Sequence, residues 1–283
     1  MKIVFFGSSR YVVPVVEMLH NNFDLSLVVT TEQNSMEPIP FYCKAKNIPF
    51  ITIRKAADLD TTYEIESAMA GLAIVADFGL IIPPKTLSFF DMGAVNIHPS
   101  LLPKYRGPSP VQNAILNGET ETGVTIIKLD KYMDHGPVIA QVAEEIKPSD
   151  TAKSLYERLF KISTVLLQKV IVNFENSKVR LIPQNHEHAT FTKTLTKEDG
   201  YIDFMNFFSS KDFFERMVRA YYSWPGAWTR INVTDNENDI KIVKFLPNKR
   251  IQVEGGREMD YKDFINGYST ANKKLLEFLK TDI

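Results

Sequence analysis

The sequence contains only one cysteine, Cys43, in 283 residues. A disulfide within the chain is therefore excluded, and so is a structural zinc site built on several thiolates. A single free thiol fits a reducing compartment. We accordingly expect a cytoplasmic protein whose fold does not depend on covalent cross-links.

Long hydrophobic runs are also lacking. No run approaches the roughly 20 apolar residues that a helix needs to span a bilayer. The apolar stretch near the start, Lys2–Phe6, is interrupted by Gly7, Ser8 and Ser9, and no small-residue cleavage site follows a long apolar core. We therefore expect neither a signal peptide nor a membrane partner.

The chain shows no excess of charge of one sign, since 33 lysines and arginines face 34 aspartates and glutamates, for a net charge of -1. Proteins that hold nucleic acid over a broad surface usually carry a basic excess, so such a partner would require a local basic patch here. The length and the 44% hydrophobic content are sufficient for one large domain or two smaller ones.

Short apolar runs alternate with segments of helical spacing in the first part of the chain. The runs predict strands at Lys2–Phe6, Leu25–Val29, Leu72–Ala76 and Ala94–His98, with helices at Tyr11–Leu19 and Phe41–Lys46. Two further strands, Thr125–Leu129 and Val138–Ile146, precede a long amphipathic helix at Thr151–Asn173. This alternation predicts an α/β fold with a Rossmann-like, mostly parallel sheet.

A second, smaller unit is predicted to begin near Thr196. Its candidate strands are Thr229–Val233, Ile240–Leu246 and Arg250–Val253, and its candidate helices are Ser210–Tyr221 and the tail Tyr261–Lys280. An irregular, polar stretch precedes this unit. We therefore predict a first domain over residues 1–189 and a C-terminal domain over residues 197–283.

Polar side chains lie where the strand Ala94–His98 ends, which is where ligands bind in open α/β sheets. Asn96 and His98 are two residues apart, so both side chains point to the same side of the strand. A carboxamide can donate a hydrogen bond to a developing oxyanion, and an imidazole can move a proton near neutral pH. Asp134, in a turn-rich segment beside Gly136, could orient the imidazole. Together these groups suit acyl transfer to an amine.

Position alone leaves other interpretations open. A histidine at a strand end is most often simply hydrogen-bonded, and an aspartate before a turn most often stabilises that turn. A hydrolytic metal site that uses His98, Asp134 and His135 would be revealed by sensitivity to chelators. A dinucleotide-binding module is a further alternative, but the segment Gly7-Ser8-Ser9-Arg10 does not contain the G-x-G-x-x-G pattern of a phosphate-binding loop.

A longer pattern surrounds these residues. The sequence reads NIHPSLLPKYRGPSP over residues 96–110, GETETGVT over 118–125 and MDHGPVI over 133–139. Together these segments closely resemble the folate-dependent formyltransferases, which transfer a formyl group from 10-formyltetrahydrofolate to an amine. The resemblance is specific over residues 78–139 and weaker over the rest of the chain.

The resemblance implies roles for individual residues. Asn96 and His98 would stabilise the oxyanion of the tetrahedral intermediate, and Asp134 with His98 would relay the proton from the amine to N10 of the folate. The folate donor would bind along two segments, formed by Phe78, Gly79, Leu80 and Ile81 and by Ser100, Leu101, Leu102 and Pro103. The reaction would require no metal.

Three classes of the family share this core and differ in the acceptor. Glycinamide ribonucleotide formyltransferases usually have a single domain, whereas this chain continues beyond it. The stretches KEDGYIDF at 197–204, VRAYYSWPGAW at 218–228 and GGREMDYKDF at 255–264 resemble the methionyl-tRNA formyltransferases. The resemblance thus implies initiator methionyl-tRNA as the acceptor, with Arg106 as a substrate-binding residue. A nucleotide-linked amino sugar is the alternative acceptor.

Two features depart from the methionyl-tRNA enzymes. The loop Thr31–Pro38 lacks the basic residues that those enzymes place there, although a surface that holds tRNA should be positive. The segment between Thr229 and Met259 is too short for their complete barrel, so we expect a reduced, β-barrel-like C-terminal domain related to oligonucleotide-binding folds. The remaining candidates for tRNA contacts are Arg10, Lys44, Lys46, Arg54, Lys104, Arg106 and the basic residues of Lys241–Arg257.

Overall fold

The computed structural model describes residues 1–32, 38–204, 210–234 and 240–280. Contacts within the chain define two compact units. The first unit contains Met1–Pro110, Glu121–Glu145 and Tyr156–Lys193, and the second contains Val111–Thr120, Ile146–Leu155 and Thr194–Ile283. In the described part of the chain, no helix combines the length and apolarity needed to cross a membrane.

The first unit is built on a seven-stranded sheet. In chain order its strands are β1 (Lys2–Phe6), β2 (Asp24–Thr31), β3 (Phe50–Ile53), β4 (Leu72–Val75), β5 (Ala94–His98), β6 (Glu121–Lys128) and β7 (Val138–Glu145). Between the first five strands lie the helices α1 (Val13–Asn22), α2 (Pro38–Lys46), α3 (Tyr63–Ser67) and α4 (Pro84–Leu87), with short 3-10 helices at Arg10–Val12, Ala56–Thr61 and, further along the chain, His186–His188. Helix α5 (Pro110–Leu116) belongs to the second unit except for Pro110, helix α6 (Ala152–Glu175) begins in the second unit and continues in the first, and the 3-10 helix Lys197–Gly200 belongs to the second unit.

The spatial order of the strands is β3-β2-β1-β4-β5-β6-β7. Strands β1 to β5 pair in parallel, whereas β6 pairs antiparallel with both β5 and β7. The link from β6 to β7 contains no helix, so it joins antiparallel neighbours and does not cross over the sheet. The predicted Rossmann-like, mostly parallel sheet is confirmed.

Apolar side chains fix the edge of the sheet at which β1 and β4 end. One buried cluster joins Val4 and Phe6 of β1 to Val75 of β4 and to Phe78 and Phe90 beyond it. The Phe6 ring packs edge-on against the Phe78 ring, with 5.4 Å between the two centroids. Because this packing is tight, the segment that follows β4 has a defined starting position at the sheet edge.

The second unit contains a four-stranded antiparallel sheet in the order β11-β10-β9-β8. The elements in this part are α7 (Lys211–Ala220), β8 (Ala227–Asn232), β9 (Ile240–Leu246), β10 (Arg250–Val253), β11 (Glu258–Asp260), α8 (Tyr261–Gly267) and α9 (Lys273–Lys280). An oligonucleotide-binding barrel has five strands, so this sheet agrees with the predicted reduced C-terminal fold. The assignment of residues 1–189 and 197–283 to two functional domains stays a prediction.

Several boundaries differ from the predicted ones. Strand β6 begins at Glu121, upstream of the predicted Thr125, because its first residues pair with the end of β7. Only glycine fits at position 123, where a Cβ would lie 2.2 Å from the carbonyl oxygen of Val142. The predicted tail helix is two helices, α8 and α9. Helices α3, α4 and α5 are too short to show a periodic pattern. Residues Gln33–Glu37, within the loop that lacks basic residues, lie outside the described residues.

Candidate active site

The end of β5 places a carboxamide and an imidazole side by side. Asn96 pairs with Val75 of β4 on one side and with Ile127 of β6 on the other, and His98 pairs with Thr125 of β6. The strand is therefore paired on both sides at Asn96 and with β6 alone at His98. His98 is 4% exposed and Asn96 is half-buried. Both side chains project from the same face of β5, as their spacing predicts.

Asp134 meets both side chains. Its Oδ1 accepts a hydrogen bond from Asn96 Nδ2 at 3.2 Å, and its Oδ2 lies 3.5 Å from His98 Nδ1. The backbone N–H of Gly107 donates to the same Oδ2 at 2.8 Å. The Asp134 carboxylate is almost fully buried, so these donors replace the water that it would otherwise bind.

The hydrogen bonds of His98 define its protonation sites. Its Nε2 lies 2.9 Å from the carbonyl oxygen of Tyr105. Because a carbonyl oxygen can only accept, Nε2 carries a hydrogen. The other ring nitrogen, Nδ1, faces the Asp134 carboxylate and is the position where a further proton can be taken up between the two groups.

Two glycines allow the chain to approach this site closely. The φ angle of Gly107 is +107°, and a Cβ there would lie 2.6 Å from the carbonyl oxygen of Thr192. A Cβ at Gly136 would lie 1.8 Å from the carbonyl oxygen of Lys128. Larger residues at either position would displace the loops that carry Gly107 and Asp134.

The first predicted donor-binding segment leaves the sheet beside this site. It follows β4, the parallel neighbour of β5, so both strands end at the same sheet edge. Phe78 is buried in the core, and Gly79 turns the chain with a φ angle of +79°. Leu80 is half-buried and Ile81 is 76% exposed. The segment thus offers apolar side chains at the sheet edge.

The second predicted donor-binding segment follows β5 directly. Ser100 is fully buried and donates through Oγ to the carbonyl oxygen of Lys104 at 2.7 Å. Thr125 Oγ1 donates to the carbonyl oxygen of Ser100 and accepts from the N–H of Leu102, while Gln141 Nε2 donates to the carbonyl oxygen of Leu102. Leu101 and Pro103 are half-buried. Two side chains of β6 and β7 therefore anchor this loop.

The Arg106 side chain is buried within the protein. It is 3% exposed, and its guanidinium donates to Gln184 Oε1 through Nη2 at 2.6 Å and through Nε at 3.2 Å. A further contact of 2.8 Å joins Nη2 to His186 Nδ1. Burial lowers the pKa of Arg106, and attraction to Asp134 and Asp130 opposes that shift. The predicted contact between Arg106 and the acceptor stays a prediction.

A histidine pair lies on the outer side of Arg106. The rings of His135 and His186 stack at 4.1 Å between centroids, and His135 Nδ1 lies 2.6 Å from Asp130 Oδ2. Burial raises the pKa of Asp130, but hydrogen bonds from His135 and from the N–H of Tyr132 outweigh it and bring that pKa below its usual range. Among the described residues, no cluster of histidine, cysteine, aspartate and glutamate could hold a metal ion.

The residues that hold the predicted catalytic side chains and the second predicted donor-binding segment in place were not predicted from the sequence. These are Gly107, Thr125, Gln141 and Gln184. Gly107 and Thr125 lie within the segments that carry the resemblance, and this position could have indicated them as candidates. Gln184 lies in an irregular stretch and gave none.

Comparisons with known proteins show the family to which this chain belongs. A family model described as formyl transferase matches residues 1–171, a region that includes Asn96, His98 and Asp134. The methionyl-tRNA formyltransferase of Chloroflexus aurantiacus is 38% identical over 238 residues, which cover 81% of this chain and 76% of the relative. That of Koribacter versatilis is 33% identical over 302 aligned positions, which cover 95% of this chain and 96% of the relative.

A solved structure shows the same fold. The 4-N formyltransferase from Francisella tularensis superimposes with a TM-score of 0.68 at 20% identity, covering 88% of this chain and 98% of that chain. At this identity the likeness concerns the fold alone. Because the family model spans more than half of the 283 residues and the two sequence relatives align with most of them, this chain belongs to the formyl transferase family of enzymes.

Proposed function

We propose that this chain transfers a formyl group from 10-formyltetrahydrofolate to the amino group of initiator methionyl-tRNA, in the cytoplasm. The convergence of Asn96, His98 and Asp134 at one sheet edge carries the proposal. The relatives that are 33% and 38% identical are methionyl-tRNA formyltransferases, which favours this acceptor. We assign the chemistry to residues 1–189, and contacts with the acceptor to both this region and residues 197–283.

Asn96 serves as the oxyanion donor in this proposal. One hydrogen of its Nδ2 is directed at Asp134 Oδ1, so the amide is held in one orientation. The second hydrogen of Nδ2 is then available to the oxyanion that develops when the amine attacks the formyl carbon. A donor that is fixed before the reaction stabilises this charge without a cost of reorganisation.

Asp134 and His98 move the proton. Attack forms a bond between the amine nitrogen and the formyl carbon, and the amine must lose a proton before the bond from that carbon to N10 of the folate breaks. Asp134 Oδ2 and His98 Nδ1 lie 3.5 Å apart and take up this proton together. They then return it to N10. The contact of Nε2 with Tyr105 keeps the ring oriented throughout.

The two segments that leave β4 and β5 fit the folate donor. A flat ring system needs an apolar wall beside fixed polar groups. Leu80 and Ile81 supply exposed or half-exposed apolar side chains on one segment, and Leu101 and Pro103 do so on the other. Thr125 holds the second segment in place through its bonds to Ser100 and Leu102. When bound, the donor supplies the activated formyl group.

Exposed cations provide candidate phosphate contacts. Arg10, Lys44, Lys46, Arg54 and Lys104 are all exposed, although Arg54 is paired with Glu32. In the second unit, Lys197 and Arg230 both lie over the ring of Trp228. The Trp228 ring itself is buried, whereas both cations are exposed and could contact phosphates, which dominate the affinity of proteins for nucleic acids. These features support an acceptor that is a nucleic acid.

The acceptor is tested by offering the purified protein 10-formyltetrahydrofolate with charged initiator methionyl-tRNA or with a panel of amino-sugar nucleotides. We expect formylmethionyl-tRNA and no formylated sugar, with activity that EDTA does not reduce. Formylation of a sugar alone would contradict the tRNA assignment and retain the donor. No transfer to either acceptor by a folded protein would contradict formyl transfer itself.

A further inference from the structure

Gln184 lies behind the catalytic carboxylate and uses all the hydrogen-bonding capacity of its side chain. Its Nε2 donates to the backbone carbonyl oxygens of Asp134, at 2.9 Å, and of Gly136, at 2.7 Å. Its Oε1 accepts both guanidinium bonds of Arg106. The side chain is buried, with 7% of its surface exposed. Gln184 therefore joins the turn that carries Asp134 to the loop that carries Arg106 and Gly107.

Both of these chain segments have a backbone that needs support. The φ angles of Asp134 and Tyr105 are +50° and +61°, in the left-handed region that costs free energy for residues other than glycine. Tyr105 presents its carbonyl oxygen to His98, and Asp134 presents its carboxylate to Asn96 and His98. Small shifts of either backbone would therefore change the distances within the catalytic group.

The stretch that carries Gln184 also braces the second segment. The backbone N–H of Tyr105 donates to Thr190 Oγ1, and the backbone N–H of Arg106 donates to the carbonyl oxygen of Thr190, each at 2.8 Å. The N–H of Thr192 donates to the carbonyl oxygen of Arg106 at 2.7 Å. One short stretch, from Gln184 to Thr192, thus contacts both the Asp134 turn and the loop that carries Tyr105 and Arg106. Among the described hydrogen bonds, those of Gln184 are the only ones that join a side chain of this stretch to the turn at Asp134.

We propose that Gln184 is a positioning residue for formyl transfer, which sets the orientation of Asp134 towards Asn96 and His98. It acts through the Asp134–Gly136 turn and through Arg106, because its side chain is buried and its polar atoms are bonded within the protein. The buried guanidinium is the second half of this support, because its bonds to Gln184 prevent the carboxamide from rotating. The proposal rests on the proposed formyl transfer, but it applies whichever amine is the acceptor.

The first test compares Gln184→Leu and Gln184→Glu with wild type. The leucine removes every hydrogen bond at similar size, whereas the glutamate keeps an acceptor for Arg106 and removes both donors to the turn. We expect kcat to fall about 10- to 100-fold in both variants, with KM for donor and acceptor changed less than about threefold. Gln168→Leu, at an exposed position on α6, is the matched control and should keep the wild-type kcat.

The second test reports on His98 without turnover. In protein labelled with ¹⁵N-histidine, the pH titration of the His98 ring is followed by NMR in wild type, Asp134→Asn and Gln184→Leu, with His98→Gln to assign the signal. We expect Gln184→Leu to move the titration in the same direction as Asp134→Asn. A lowered melting temperature with an unchanged titration and kcat would overturn the proposal. If wild type formylates only a sugar, the acceptor assignment fails, and the kinetic test is repeated with that sugar.

Discussion

The carboxyl-terminal end of β5 and the sheet of the second unit are held together by different interactions. Around the end of β5, the buried residues include Ser100, His98, Arg106 and Asp134, and directional hydrogen bonds hold them. In the second unit, the rings of Phe214 and Phe245 pack edge-on at 5.1 Å, and burial of apolar surface holds them. Directional bonds fix the angles that chemistry needs, whereas apolar burial has no direction and contributes mainly stability.

The strongest test of this contrast is Asp134→Asn. The amide keeps the size of the side chain but cannot take up the proton, so we expect formyl transfer to fall about 10²- to 10⁴-fold. Because one buried donor also loses its acceptor, we expect a loss of about 1–3 kcal/mol of unfolding free energy. Asn96→Ala should lose about 10²- to 10³-fold, as oxyanion donors do. Steady-state kinetics and thermal melts measure both effects. Near-normal turnover in either folded variant would remove that residue from the mechanism.

The converse test is Phe245→Ala in β9. The side chain is 2% exposed, and a cavity in a buried aromatic cluster costs about 3–5 kcal/mol of unfolding free energy. We expect a marked loss of stability in urea titrations, with kcat of the folded fraction preserved. Phe41→Ala, at a side chain that is 77% exposed, is the control and should change little. A loss below about 1 kcal/mol in Phe245→Ala would show that the cluster is not needed for stability.

The smallest expected effect is on the pH dependence of stability and concerns His186, which contacts Arg106. Burial, and then repulsion from His135 and Arg106, lowers the pKa of His186, so the folded protein binds this proton less readily than the unfolded chain. Stability should therefore fall as the pH drops through the unfolded value of about 6.5, and level off below the folded one. Between pH 7.5 and 5.5, the melting temperature of His186→Asn should fall by less than that of wild type, and the difference should be about 2 °C or smaller.

His188→Asn is the control for this measurement, because His188 is an exposed neighbour in the same 3-10 helix. An identical pH dependence in wild type, His186→Asn and His188→Asn would show that the contact with Arg106 does not disfavour protonation of His186. The hydrogen bond from Arg106 Nη2 to Nδ1 would then need another explanation.

Much of the fold was predictable because the first strands are short apolar runs with polar flanks. The runs at Lys2–Phe6 and Ala94–His98 match β1 and β5 as predicted. Strand β6 was only partly predicted, because Gly123 weakens the pattern although it packs closely on β7. The alternation of Asn96 and His98 predicted that their side chains share one face of β5, and the register of β5 agrees with it.

The supporting residues could not be predicted in the same way. Gln184 and Asp134 are separated by 50 residues, and nothing in the irregular stretch around Gln184 indicates its partner. The same is true of Arg106, which the sequence offers as a candidate tRNA contact and which is buried in the structure. Hydrogen bonds over such separations depend on where the loops are brought by the sheet, and periodicity carries no information about this.

The sequence by itself determined the alternating strands and helices, the absence of disulfides and long apolar runs, and the motif that contains Asn96, His98 and Asp134. These follow from local patterns of side chains. Only the tertiary structure decided that Asp134 contacts both other residues and that Arg106 and Gln184 lie behind it. The physical reason is that buried polar groups require partners, and folding supplies those partners from segments that are distant in the chain.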